Sequence, residues 1–248
     1  MFEPRWYRRL MEGERFTSFT ITYLETDLWI GVNPFSYHPD MPDFVLKKSK
    51  ELRVIMDNYI AIHPEFLTSL IPIKPDSLSH PIIQAMINAT IISGTGPMSA
   101  VAGAFAQFIG EAIIKEYNTQ EIIVENGGDI YLSIKNDLEV GVFAGNSPLS
   151  NKMAIIVPAS FSPLGLCTSS GTVGHSLSFG KADAAMIACK DAALADAFAT
   201  RFGNEVKTPA DIQAVIKLSE DFHEILSILL IADDQLGVRG KFQLSPML

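Results

Sequence analysis

Within GPMSAVAGAFAQFIGEAIIKEYNTQEIIVENGGDIYLSI (Gly96–Ile134) the hydrophobic period changes once. Up to Tyr117 the apolar residues Phe105, Phe108, Ile109 and Ile113 recur at helical spacing, which predicts a helix over Gly96–Tyr117. Ala, Gly and Ser fill the rest of that helix, so its backbone is expected to pack closely against a sheet or a ligand. From Ile122 the period becomes two, and Gly127-Gly128 separates two short strands, Ile122–Glu125 and Ile130–Ile134.

The same alternation continues outward. Strands are expected at Glu139–Ala144, Met153–Val157, Gly165–Ser169 and Ala184–Ala188, with turns at Asn136-Asp137 and Ser147-Pro148. A helix Ala192–Phe202 follows, with Asp191 as its N-cap, and Thr208-Pro209-Ala210-Asp211 has the capping-box pattern for another. The end of the chain reads as a hairpin, Glu224–Ala232 and Val238–Leu244, around Asp233–Gly237. Toward the N-terminus, 7–31 reads as a β-meander with a turn at Glu12-Gly13-Glu14. Helices are expected at about Pro42–Tyr59, from Pro64, and from Pro81, since proline suits a first helical turn. Clustered helices and runs of strands make the class α+β (mixed α/β), mostly antiparallel, in one domain over 1–248.

Composition narrows the function classes. Of 248 residues, 48% are hydrophobic and 19% charged, which excludes a disordered chain. The net charge of −9 leaves no basic footprint for nucleic acid, so an anionic ligand must be held locally. Two cysteines, Cys167 and Cys189, make neither a disulfide framework nor a four-cysteine metal site, and a reducing, cytoplasmic setting is expected. The first fifteen residues hold no apolar run of signal-peptide length, and no membrane partner is expected. The polar loop Asn33–Asp43 and the small-residue helix suggest a homodimer as a further partner expectation.

Four segments concentrate glycine and polar side chains. Gly94-Thr95-Gly96 precedes the long helix and reads either as a plain loop or as an anion-binding helix start. Asn126-Gly127-Gly128-Asp129 reads either as a hairpin turn or as backbone amides beside a ligand, with Asn126 or Asp129 pointing at it. Thr168-Ser169-Ser170-Gly171-Thr172, with His175 beyond, offers hydroxyl and amide donors for phosphates. Asp196 and Thr200, four apart on one helix, present hard oxygen ligands that suit Mg²⁺; the alternative is a small-residue helix packed on the sheet. Cys167 and Ser170 lack the surroundings of an activated nucleophile.

Together these segments resemble the FAD:protein FMN transferase (ApbE-type) superfamily. The matches are the GGD turn at Gly127-Gly128-Asp129, the TSG stretch at Thr168 with Ser170-Gly171, and the ADA-x-x-T helix at Ala195-Asp196-Ala197 with Thr200, in the family's order. The likeness is best over residues 85 to 205, and nearest to an uncharacterised prokaryotic ApbE-like branch. It implies two related β/α halves with a nucleotide-sized groove between them. It also implies FAD as substrate or ligand and an acceptor protein as partner. In that scheme Asp196 and Thr200 hold Mg²⁺. His175 and Ser170 serve the chemistry. Gly94, Thr95, Gly96, Asn126, Gly127, Gly128, Asp129, Thr168, Ser169, Gly171 and Thr172 line the flavin nucleotide. Two family features are missing: Ala102-Gly103 stands where the family has a KG pair, and no HIIDP-like segment follows the TSG. The expected activity is a Mg²⁺-dependent flavin nucleotide transferase or FAD pyrophosphatase. The alternative is a non-catalytic flavin- or nucleotide-binding protein with the same fold.

Overall fold

The computed structural model describes residues 8, 15–172 and 179–247. The described residues form an eight-stranded antiparallel sheet in the order β1-β2-β3-β4-β7-β8-β9-β10 and a second sheet in the order β11-β6-β5. The strands are β1 (Thr17–Tyr23), β2 (Thr26–Val32), β3 (Ile122–Asn126), β4 (Asp129–Ser133), β5 (Leu138–Gly141) and β6 (Met153–Val157). They continue as β7 (Leu164–Ser169), β8 (Ala184–Cys189), β9 (Ile225–Ala232), β10 (Gln235–Gly240) and β11 (Gln243–Pro246). The helices are α1 (Met41–Ile62), α2 (Glu65–Thr68), α3 (Pro81–Ser93), α4 (Val101–Tyr117), α5 (Ala192–Glu205) and α6 (Ile212–Leu218).

The central strands of the large sheet are buried on both faces, while the edge strands β1 and β10 are partly exposed. Ile228, Leu230 and Ala232 of β9 point into the core shared with the helices, while Leu229 and Ile231 point toward the second sheet. That is why β9 reads as an unbroken apolar run rather than an alternation. The helical stretch Pro97–Tyr117 is apolar and long enough to cross a membrane by length and composition. Here it packs on β3, β4 and α5, with Ala104, Ala106, Ile109 and Ile113 buried.

Local signals place several boundaries. Pro81 opens α3 and Gly94 closes it at φ +80°, the left-handed cap that glycine adopts without strain. Asp191 accepts from the Leu194 amide at 2.8 Å and caps α5. Thr208 and Asp211 form the expected capping box.

The N-terminal hairpin turns between Tyr23 and Thr26, with Leu24 at φ 51°; the turn expected at Glu12–Glu14 lies outside the described residues. Two expectations are corrected. The C-terminal hairpin is tighter than expected: it turns at Asp233-Asp234, and Gly237 sits inside β10 opposite Leu230. Residues 243–246 leave that hairpin altogether and pair with β6 in the second sheet. The strand expected at Glu139–Ala144 stops at Gly141, and its ladder is with β6, so Asn136-Asp137 carries the chain from one sheet to the other.

Candidate functional site

Sheet register brings three of the singled-out segments to one place. Asn126 pairs with Asp129 across the β3–β4 turn, and Ile130 pairs with Leu166 of β7, so Asp129 comes opposite Cys167. Side chains of directly opposed residues share a face. Asn126, Asp129 and Cys167 therefore form a row on the helix-covered face, toward α4 and α5. Gly127 and Gly128 make the turn at φ 72° and 104°, which a two-residue hairpin of this kind requires.

The small residues explain how close the helices come. A Cβ on Gly103 of α4 would lie 2.2 Å from the Ala192 carbonyl oxygen of α5, and one on Gly165 of β7 would lie 2.3 Å from the Ala192 Cα. Backbone thus meets backbone, as the Ala- and Gly-rich composition led one to expect. In this contact Asp196 reaches the first turn of α4, where its Oδ2 accepts from the Gly103 amide at 2.9 Å, with the Ala102 amide alongside. The amides of a helix's first turn lack partners within the helix and favour negative charge, so Asp196 satisfies α4 there. Asn126 Nδ2 donates to the Ala102 carbonyl at 3.2 Å and ties the β-turn to the same point.

Asp129 is buried beside Asp196. The Thr168 amide donates to its carboxyl and the Cys167 thiol stands against it, while Oδ1 is buried without a hydrogen-bond partner. Burial and the neighbouring Asp196 carboxylate push the Asp129 carboxyl well above its ordinary range. Asp196 is pushed up to about 7 by burial, against the two helix amides that favour its charge. The Cys167 thiol, buried and facing both carboxylates, is also raised, so it stays a thiol at neutral pH and is no nucleophile.

The other singled-out residues stand as follows. Thr200 lies one turn along α5 from Asp196 and is half-buried. Ser169, at the end of β7, packs toward Gly203 of α5. The Ser170 hydroxyl accepts from the Thr172 amide at 3.1 Å, and the Thr172 hydroxyl donates to Asp183 at 2.7 Å. Gly171 packs tightly on Gly180. His175 lies outside the described residues. The Gly94–Gly96 segment is held elsewhere: a Cβ on Gly96 would fall 1.8 Å from the Ser69 carbonyl oxygen, and Arg201 donates to the Ser93 carbonyl at 2.8 Å. A hydroxyl chain links Ser93, Thr95 and Ser99 at 2.7 Å per step. Sequence reasoning missed Arg8, and gave Glu125 no role although it borders the singled-out turn. Glu125 is fully buried, and a charge inside an apolar strand was the one signal that could have marked it.

The turn also yields a stability test. With φ +104°, Gly128 holds a backbone conformation that side chains rarely adopt, and a Cβ there would meet the Thr168 carbonyl oxygen at 3.5 Å. Gly128→Ala is expected to cost about 1–3 kcal/mol from backbone strain alone. Urea unfolding measures this, and an unchanged midpoint would contradict the turn geometry.

Comparison with known proteins places this architecture. A family model described as "AbpE bacteria" matches residues 8–222. A UPF0280 protein of Methanococcus aeolicus is 38% identical over 225 residues, covering 89% of each chain. One from Methanocaldococcus jannaschii is 36% identical over 222 residues, covering 88% of each. Among solved structures, the ApbE protein of Thermotoga maritima superposes with TM-score 0.59 at 12% identity, covering 91% of this chain and 97% of that one. The apo form of the flavinyl transferase ApbE of Pseudomonas stutzeri superposes with TM-score 0.55 at 11% identity, covering 90% and 94%. At such identity the two structures speak for the shared fold. The relatives and the family model together establish that the chain is a member of the ApbE-like superfamily, in the branch described as "AbpE bacteria" and shared with the UPF0280 proteins.

Proposed function

We propose that this protein is a Mg²⁺-dependent enzyme of flavin nucleotides that cleaves FAD at its diphosphate, passing FMN to water or to an acceptor protein. The observation that carries the reading is the orphaned Asp129 Oδ1, buried beside the raised Asp196 carboxyl. A buried carboxylate oxygen without a donor calls for a cation or a proton. Among the described residues no three Asp, Glu, His or Cys side chains gather into a full cage. Mg²⁺ suits such a half-built site, because it commonly takes one or two carboxylates and completes its shell with water and substrate phosphates.

In this reading Asp129 and Asp196 hold the cation, with the Thr200 hydroxyl one turn further along α5. When bound, the cation supplies charge neutralisation to the diphosphate and its leaving group. The chain's own part is to bind and orient. The α4 start at Ala102-Gly103 lies against the acids, and the Gly127-Gly128 turn leaves room for close approach. Ser169, Ser170, Thr172 and His175 are proposed as donors to the diphosphate or to the transferred group, and Gly94–Gly96 as a more distant edge of the flavin site. The cytoplasmic setting and a homodimer belong to the same proposal. The buried, unpaired cysteines are consistent with a reducing compartment.

One observation favours a second reading. Asp196 already satisfies the first turn of α4, and Ala102 stands where the family's lysine would be, so the fold can be kept for binding alone. Purified protein incubated with FAD and MgCl₂, with and without EDTA, decides between them by chromatography for FMN and AMP. The enzyme should release AMP, and chelation should slow it on the order of 10³-fold, the scale of several kcal/mol of charge stabilisation. Stoichiometric FAD without AMP selects the binding protein, and no FAD bound rejects both.

A further inference from the structure

The buried face behind the ligand turn carries a charge network that the proposed chemistry does not use. Glu125 pairs with Trp29 and Ile130 across the sheet, so its side chain points to the face opposite Asn126 and Asp129. Its Oε1 accepts from the Gly128 amide at 2.8 Å, and its Oε2 accepts from Arg8 Nε at 2.7 Å. The same guanidinium donates through Nη1 to Asp27 Oδ1 and through Nη2 to the Asp27 carbonyl, both at 2.8 Å. Leu28 pairs with Asn126, so Asp27 flanks the strand end from which the turn departs. One planar cation thus grips three acceptors on two neighbouring strands, and one of them holds the turn amide. Arg8 is 117 residues from Glu125 in sequence.

We propose that Arg8 is a positioning residue: acting through Glu125, it fixes the Gly127-Gly128 turn and hence the placement of Asn126 and Asp129 on the opposite face. The guanidinium does this by geometry as well as charge. A carboxylate with one oxygen clamped by Nε presents the other to Gly128 in a single orientation, whereas a lysine ammonium is a point charge without the fork. Removing the cation altogether would take an ionic contact from a fully buried carboxyl, so loss of folding is a foreseeable outcome of Arg8→Ala. Arg8→Lys keeps the charge compensated and is the informative variant.

Two readouts separate this role from a merely structural one; the second rests on the flavin reading above and the first does not. In ligand-free protein, amide exchange at Gly128 should be about 10-fold faster in Arg8→Lys, the equivalent of one weakened hydrogen bond. Exchange at Leu230, deep in β9, should stay as in wild type. For binding, titration of FAD with MgCl₂ present should show an affinity loss of about 10–100-fold, the range seen when an orienting partner behind a ligand site is removed. Glu125→Gln, which can keep an acceptor for Gly128 but then turns a donor toward Arg8 Nε, should change both readouts in the same direction as Arg8→Lys. Gly128 exchange unchanged in Arg8→Lys, or exchange speeded equally at Gly128 and Leu230, overturns the proposal, as does faster Gly128 exchange with unaltered affinity. If wild-type protein binds no FAD, the flavin reading fails and the exchange result alone decides whether Arg8 holds the turn.

Discussion

Stripped of divalent cations, the protein should lose stability as pH rises from about 5 to about 8. Asp196 titrates at about 7 when folded against an ordinary 3.8, so between those values the native state keeps a proton that the unfolded chain has released. The native state then binds more protons than the unfolded state, and stability falls with rising pH. The stabilisation is fully present below the unfolded value and is lost as pH passes the folded one. One such proton is worth up to about 1.4 kcal/mol per pH unit, so a loss of about 2–4 kcal/mol is expected across the window. Asp129 and Asp191, both raised by burial, act in the same direction. His80, lowered by burial, acts in the opposite one. The difference between wild type and Asp196→Asn isolates the carboxyl: urea unfolding at several pH values should show a flatter profile for the variant. Millimolar Mg²⁺ at pH 8 should restore wild type and leave Asp196→Asn where it was, since a ligand that binds only the native state raises stability. A wild-type profile that climbs from pH 5 to pH 8, with no difference from the variant, would reject the buried-acid account.

Gly103→Ala should be strongly destabilising. Its Cβ would stand 2.2 Å from the Ala192 carbonyl oxygen and 2.9 Å from the Asp196 Cβ. The first of these neighbours is backbone, which no rotamer change moves, so α4 must draw back from α5. The Gly103–Asp196 hydrogen bond stretches with it, leaving helix amides and a buried carboxylate poorly satisfied. Overpacking of this kind costs about 1–3 kcal/mol, and the lost hydrogen bond adds about 1–2. For a chain of this size that corresponds to a fall in melting temperature of roughly 5–15 °C. Gly203→Ala on α5 is the control: its Cβ meets the Ala185 Cβ at 3.3 Å and Ser169 at 3.7 Å, all side-chain atoms, and the gain in helix propensity offsets a small adjustment. Calorimetry of the two variants side by side makes the comparison, and equal melting temperatures would mean that the close approach of α4 and α5 is not what the glycine serves.

Glycines also show what kind of information the chain carries openly. Gly127-Gly128 was legible as a turn because a two-residue hairpin imposes its backbone angles on the residues that form it. Gly103 was legible only as one small residue among many, since nothing within its helix names Ala192 as the neighbour. The same contrast separates Asp191 from Asp196. Asp191 caps a helix three residues away, while Asp196 answers an amide 93 residues away.

By itself the sequence determined the period of each segment, the caps at Asp191 and Thr208, the Gly-Gly turn and the mixed, antiparallel class. These depend on interactions within a few residues, where side-chain spacing and backbone angles act directly. The motif order also pointed to the superfamily. Only the tertiary structure decided that β11 joins β6 and not β10, that Asp129 faces Cys167 and Asp196, and that Arg8 clamps Glu125 from behind. Those pairings follow from sheet register and from how closely two helices can approach. Both are set by the fit of whole faces across long stretches of chain, and no local pattern encodes which distant face will be met.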